Sequence, residues 1–179
     1  GGGGGGGSPT STPVIAKGVM KKGSVIVNGV RFDDTTAQIR REDDIVTVVT
    51  ATTLDDGMVV KVKGRKNDDG VTGTAEKIEV ENEVRGTVSS VGSGTFGVLG
   101  QTVIVSSSTV TAGGWSYDAA TGTITGLSGA SVEVHGERNA AGAILASRVE
   151  KFGAPGQDEL RGIVSGLAAT FAPGDPFSV

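Results

Sequence analysis

One strand-and-turn signature recurs along this chain and constrains the fold more than any other feature. Lys17-Gly18-Val19, Arg85-Gly86-Thr87-Val88 and Arg161-Gly162-Ile163-Val164 each open a copy, and the third stops at Val179. Gly57-Met58-Val59-Val60-Lys61-Val62-Lys63-Gly64 aligns without gaps on Gly129-Ala130-Ser131-Val132-Glu133-Val134-His135-Gly136. Gly70 falls on Gly142, and after one residue of slippage Ile78-Glu79 falls on Val149-Glu150. Glu83-Val84-Arg85-Gly86 matches Glu159-Leu160-Arg161-Gly162. Copies begin about 70 residues apart, longer than a usual solenoid unit and suited to a small independent domain. The expected organisation is beads on a string.

The residues inside each copy read as strands. Ser24 to Phe32 alternates around Asn28-Gly29, a strong two-residue hairpin signal. Met58 to Arg65 alternates apolar and basic residues, as a half-exposed strand does. Ala75 to Val80 closes the first copy, and Ile45 to Thr50 reads either as a strand or as a short helical or irregular segment. In the second copy, residues 86–91, 95–99, 102–105, 131–135 and 143–149 read as strands, with turns at Gly100-Gln101 and Asn139 to Gly142. Residues 106–128 form a long excursion that carries Trp115 and Tyr117. Five or six short strands per copy predict an all-β fold of two tandem small barrels, OB-like, with the opening strands of a third. Closure removes edges that short strands would otherwise expose. The expected division is a linker at 1–13, a first barrel at 14–84, a second at 85–160, and a partial repeat or exchanged strand at 161–179.

Composition bears on partners. Sixteen Lys and Arg against twenty Asp and Glu leave a net charge of −4, which disfavours double-stranded nucleic acid. Aromatic residues make up 4%, so the cores depend on Val, Ile, Leu and Ala. The absence of cysteine rules out disulfides and thiolate metal sites. No apolar run approaches the roughly 20 residues of a membrane span. Residues 1–13, GGGGGGGSPTSTP, have the composition of a flexible tether, and also of the spacer that follows a lipidated cysteine upstream of Gly1.

Several matches together carry a family resemblance: Gly86-Thr87-Val88, Phe96-Gly97-Val98-Leu99-Gly100-Gln101-Thr102-Val103, Ser108-Thr109-Val110, Gly129, Val132-Glu133-Val134-His135-Gly136, Gly142, and Ala146 to Glu150. They resemble the bacterial DUF5666 repeat family. The match covers residues 85–150 well and 17–80 more loosely, because the first copy lacks the Phe-x-Val before its Asn28-Gly29 turn. It covers 161–179 as an opening only. The resemblance implies tandem β modules in an exported or lipoprotein-like bacterial protein. It transfers no catalytic residue.

The chemistry-bearing residues are few. His135, the one histidine, has Glu133 and Glu137 on the same strand face at i±2 spacing. That spacing allows a His/Glu metal site, but it equally describes a histidine on an exposed acidic face, the reading preferred here. Asp33-Asp34, Asp43-Asp44, Asp55-Asp56 and Asp68-Asp69 lack the EF-hand pattern, and two of the pairs precede glycine as turns do. Ser106-Ser107-Ser108 has no nucleophile elbow. Trp115 and Tyr117 either stack a sugar or a base, or pack across one mouth of their own barrel. Ile163, Leu167, Phe171 and Phe177 are the candidate anchors if 161–179 completes a barrel in a neighbouring subunit.

The expectation is a non-catalytic structural or binding protein, exported to the bacterial cell envelope or beyond, with no cofactor and no metal. Its expected partners are copies of itself, a glycan or another envelope component. A filament subunit assembled by strand exchange and a carbohydrate- or oligonucleotide-binding module are the alternatives.

Overall fold

The computed structural model describes residues 10–22, 24–41, 48–49, 54–153 and 159–160. Among them every regular element is a strand. The first repeat contains β1 (Ser11–Val19), β2 (Val25–Val27), β3 (Val30–Asp33), β4 (Gln38–Arg41), β5 (Val48–Val49), β6 (Val59–Asn67) and β7 (Thr72–Glu81). The second contains β8 (Val84–Gly92), β9 (Thr95–Val98), β10 (Gln101–Ile104), β11 (Val110–Ala112), β12 (Ser116–Asp118), β13 (Thr123–Thr125), β14 (Ser131–Arg138) and β15 (Ile144–Phe152). A short β16 (Glu159–Leu160) follows.

The second repeat is a closed barrel. Its pairing runs β10-β9-β8-β14-β15, and a parallel pairing of β10 with β15 at Val103↔Ile144 shuts the ring. Counting the five barrel strands in chain order, the circuit is 1-2-3-5-4-1, the order of an OB-like Greek-key barrel. The long β8 makes closure possible. Its first half pairs with β14 and its second half with β9, with a register shift between Val88 and Ser90 that bends the strand.

The first repeat keeps the order. β1 pairs with β6, β6 with β7, β7 with β3 in parallel, and β3 with β2. Where β8 and β9 form a ladder, β1 and β2 are linked among the described residues by a single bridge, Lys21↔Ile26. Among the described residues β1 pairs as a strand on one side only, which tolerates Pro13 inside the strand. The Asn28-Gly29 hairpin forms with both residues at positive φ, 51° and 77°, the backbone of a type I′ turn.

Each repeat buries its own core. Met20, Val25, Val27, Phe32, Ile39, Val60, Val62 and Ile78 fill the first, and Val84, Phe96, Val98, Trp115, Leu127, Val132, Val134 and Val149 fill the second. One matched pair of glycines, Gly64 and Gly136, is demanded by close approach. A Cβ on Gly64 would lie 2.1 Å from the Thr74 carbonyl oxygen, and one on Gly136 would lie 2.2 Å from that of Leu145. Both sit at matching register shifts, between β6 and β7 and between β14 and β15.

Four expectations need correction. Ser11, Thr12 and Pro13, expected in the linker, belong to β1 and pair with β6. Gly100 belongs to a turn with Leu99, while Gln101 already opens β10. The excursion at 106–128 is structured: β11 pairs with β15, and β12 and β13 form a hairpin. The modules are also not independent beads, because their facing surfaces are buried against each other. Of the undecided Ile45–Thr50 stretch, Val48–Val49 is a strand paired with β4, and the rest lies outside the described residues.

Candidate functional site

The charged residues that the fold buries gather where the two repeats meet. In β14, Val132 and Val134 point into the barrel, so alternation sends Glu133 and His135 outward. An outward strand face normally meets water. Here the first repeat covers it, and both side chains are fully buried. The sequence reading of an exposed acidic face is thus overturned for these two residues. Glu137, two positions further along, does remain exposed.

Burial of a carboxylate requires partners, and Glu133 has three. His135 Nε2 lies 2.8 Å from Oε1. Arg41 of the first repeat donates from Nη1 to Oε1 and Oε2 at 2.9 and 3.1 Å. Arg85 Nη2 lies 3.0 Å from Oε2, and its guanidinium stacks over the Phe152 ring at 5.1 Å. Burial pushes the Glu133 carboxyl up. The His135 hydrogen bond, with the charges of His135 and Arg41, outweighs burial and brings it down to about 2.

His135 reaches across the junction with its other nitrogen. Nδ1 lies 3.2 Å from the Val59 backbone N–H and 2.9 Å from the Glu81 carbonyl oxygen. It accepts from the first when bare and donates to the second when it carries the proton. The ring therefore joins the first repeat's backbone to a carboxylate of the second.

Hydrogen bonds extend the seam on both sides. Ser147 Oγ donates to the Gly57 carbonyl at 2.7 Å, and Arg148 Nη1 to that of Asp56 at 3.0 Å. The Glu83 N–H, in the short connection between β7 and β8, donates to the Val134 carbonyl at 2.8 Å. Gly57 fits the turn at φ 83°, where a Cβ would lie 2.6 Å from the Ser147 oxygen and 2.9 Å from a Val110 methyl. Its counterpart Gly129 has nothing within 4 Å. Beside this seam lies a crease of about 510 Å³, bordered by Val19, Lys21, Asp56, Ser108, Val110 and Ser147.

The aromatic pair packs at home. Trp115 is 6% exposed, and its indole N–H donates to the Val149 carbonyl at 2.9 Å. Tyr117 is half-buried against the same core, beside Ile124 of the β12–β13 hairpin. With its indole inside the core, Trp115 offers no free face for a sugar or a base, so the stacking reading does not fit its position.

The aspartates behave as turn residues. Asp33 accepts from the Thr35 N–H at 3.0 Å, and Asp69 from those of Val71 and Thr72 at 2.9 and 2.8 Å. Their hydrogen bonds to Thr35 and Thr72 hold both carboxyls below the ordinary value. Among the described residues no group of three or more His, Asp or Glu side chains is placed to hold a metal ion. Asp43-Asp44 and the four anchor candidates Ile163, Leu167, Phe171 and Phe177 lie outside the described residues. Glu159 and Leu160, just before the anchors, pair with Arg85 and Val84 of this chain's own β8.

The junction escaped the sequence reading because alternation within one strand says nothing about what covers its outer face. One signal was available. The outward positions of this strand change from Lys61 and Lys63 in the first copy to Glu133 and His135 in the second.

A five-stranded module in two copies, closed as a barrel in the second and joined through a buried ionic seam, defines a class of tandem small-barrel proteins. Within that class, the family model described as Domain of unknown function (DUF5666) matches residues 14–79 and 85–150, and the chain belongs to this family. No curated protein and no solved structure matches it.

Proposed function

We propose that this chain is a non-catalytic structural protein of the bacterial cell envelope, in which tandem barrels act as one stiff arm rather than as tethered beads. The observation that carries the reading is the buried contact of Glu133 and His135 with Arg41, Val59 and Glu81. Burying two ionisable side chains between repeats is costly unless their partners stay in register. Such a seam favours one relative orientation, which suits a spacer or a support for binding surfaces.

A non-catalytic role fits the same residues. The one histidine is closed off from solvent by protein on every side, where no substrate reaches it. Envelope placement is supported by the family's resemblance to exported repeat proteins and by the Gly/Ser/Pro composition of residues 1–9. Fractionation of the native cells, followed by antibody detection, tests the placement: recovery with the envelope is expected, and recovery in the cytosol contradicts it. Light scattering tests the filament alternative, for which a concentration-dependent polymer is the required result.

A further inference from the structure

The strand face that the second repeat buries at the junction is open in the first. Registers make the two faces equivalent position by position. Lys17↔Lys61↔Glu79 corresponds to Arg85↔Glu133↔Glu150, and Lys63↔Lys77 to His135↔Arg148, with Glu83, just before β8, joined to this edge by its N–H on the Val134 carbonyl. The charges differ sharply. In the second repeat, two arginines stand against three carboxylates, and Arg41 arrives from the first repeat to restore balance. In the first repeat, Lys17, Lys61, Lys63, Lys77 and Arg65 outnumber the carboxylates of Glu76, Glu79 and Glu81, and Glu81 is held by Lys17 at 2.6 Å.

This basic face is not a by-product of the fold. Lys63 lies directly across from Lys77, and Lys61 directly across from Lys17, whose own Nζ is held by Glu81 at 2.6 Å; like charges in such positions destabilise a sheet. Lys61 and Lys63 are exposed and make no salt bridge among the described residues. Glu79 is already taken, bound by Lys77 at 2.8 Å and by Arg40. Arg65 extends the row along β6, bonded to Ser11 at 2.7 Å. Ile15 projects from the middle of the face at 67% exposure. Two shallow grooves, of about 320 and 160 Å³, flank it. All of this stands on a chain whose net charge is −4.

We propose that the outer face of β1, β6 and β7 in the first repeat binds an acidic polysaccharide, with Lys61 and Lys63 as its central contacts. Charge complementarity selects a polyanion. A single-stranded nucleic acid is disfavoured because the face offers no aromatic platform for its bases. A globular protein partner is disfavoured because Ile15 and Pro13 are too small an apolar centre for a buried anchor cluster. A second copy of this chain is disfavoured by its own charges: where β4 ends in Arg41, which faces the junction, β11 ends at Ala112 and is followed by Gly113 against the Lys151 backbone, with no carboxylate there to meet the lysines. Lysines on flexible stems act as point charges and suit a linear chain of spaced carboxylates.

The proposal adds a ligand to the structural reading, and its binding test is independent of where the protein resides in the cell. The full chain is passed over immobilised polygalacturonate and eluted with salt, with neutral dextran as the control matrix. Wild type and a Lys21→Gln variant should be retained alike at low salt. The Lys61→Gln/Lys63→Gln double variant should bind about tenfold more weakly. Its salt dependence should be shallower by roughly two charges. Thermal unfolding monitors the fold, and the double variant should be no less stable, since two repulsions are removed. Equal retention of the double variant overturns the proposal. So does tighter binding to a poly(dT) oligonucleotide, or self-association by light scattering that the double variant abolishes.

Discussion

Replacing Glu133 by glutamine tests the buried seam with almost no change in shape. The carboxyl is held at about 2 against an ordinary value of 4.5. A carboxylate depressed in the folded state contributes stability that is complete above its ordinary value and is lost as pH falls through about 2. At about 1.4 kcal/mol for each pH unit, the gap corresponds to about 3 kcal/mol. Contacts lead to a similar figure. Glu133 accepts from three charged or ring donors, and removing one member of a buried ionic cluster costs about 3–5 kcal/mol. Arg41 and Arg85 can recover water through their exposed portions, whereas His135 is sealed in, which places the expected loss near the lower end. Glu133→Gln should therefore lower the melting temperature at pH 7 by about 6–12 °C, as about 3 kcal/mol does in a chain of this size. Urea unfolding at pH 7, 4.5, 3 and 2 gives the second readout. Wild type should lose stability between pH 4.5 and 2, and Glu133→Gln should make that slope measurably shallower while leaving the part carried by Glu79, which its ion pairs with Lys77 and Arg40 also hold at about 2. A variant within about 0.5 kcal/mol of wild type, or one that keeps the acid slope in full, refutes the reasoning.

Further predictions address the same structure from other sides. Gly57→Ala and Gly129→Ala share the strain of a positive φ, about 1–2 kcal/mol, but only Gly57 meets the other repeat. Gly57→Ala should cost about 1–3 kcal/mol more than Gly129→Ala in urea unfolding, and equal costs would remove Gly57 from the seam. Gly136→Ala, which drives a Cβ against the Leu145 carbonyl, should destabilise the second repeat by about 2 kcal/mol or more, and a neutral effect by thermal melting would argue against the bulge geometry. Trp115→Phe should lose about 1–3 kcal/mol through the missing hydrogen bond to Val149 and the smaller ring, measured by thermal melting. A stable Trp115→Phe protein would instead place the indole outside the core.

The barrels were legible because short β-branched strands, glycine turns and a repeated register all agree with one another. Asn28-Gly29 announced its hairpin, and Val60-Val62 and Val132-Val134 announced the inward faces. The β12–β13 hairpin was hidden because its three-residue strands carry too little alternation to stand out from a loop. The junction was hidden for a different reason. Glu133 and His135 look like solvent-facing residues, and their burial is made tolerable by groups far away in sequence, Arg41 at 92 residues and Val59 at 76. Long-range pairing of that kind leaves no local pattern.

The central claim is that the two repeats hold one orientation through this seam. The chain has no cysteine, so Thr36→Cys and Ala140→Cys, on exposed turns of the two repeats, can be spin-labelled cleanly and their separation measured by pulsed dipolar spectroscopy. One narrow distance distribution is expected, broadening when Glu133→Gln is added. A broad distribution in the wild-type background would contradict the account.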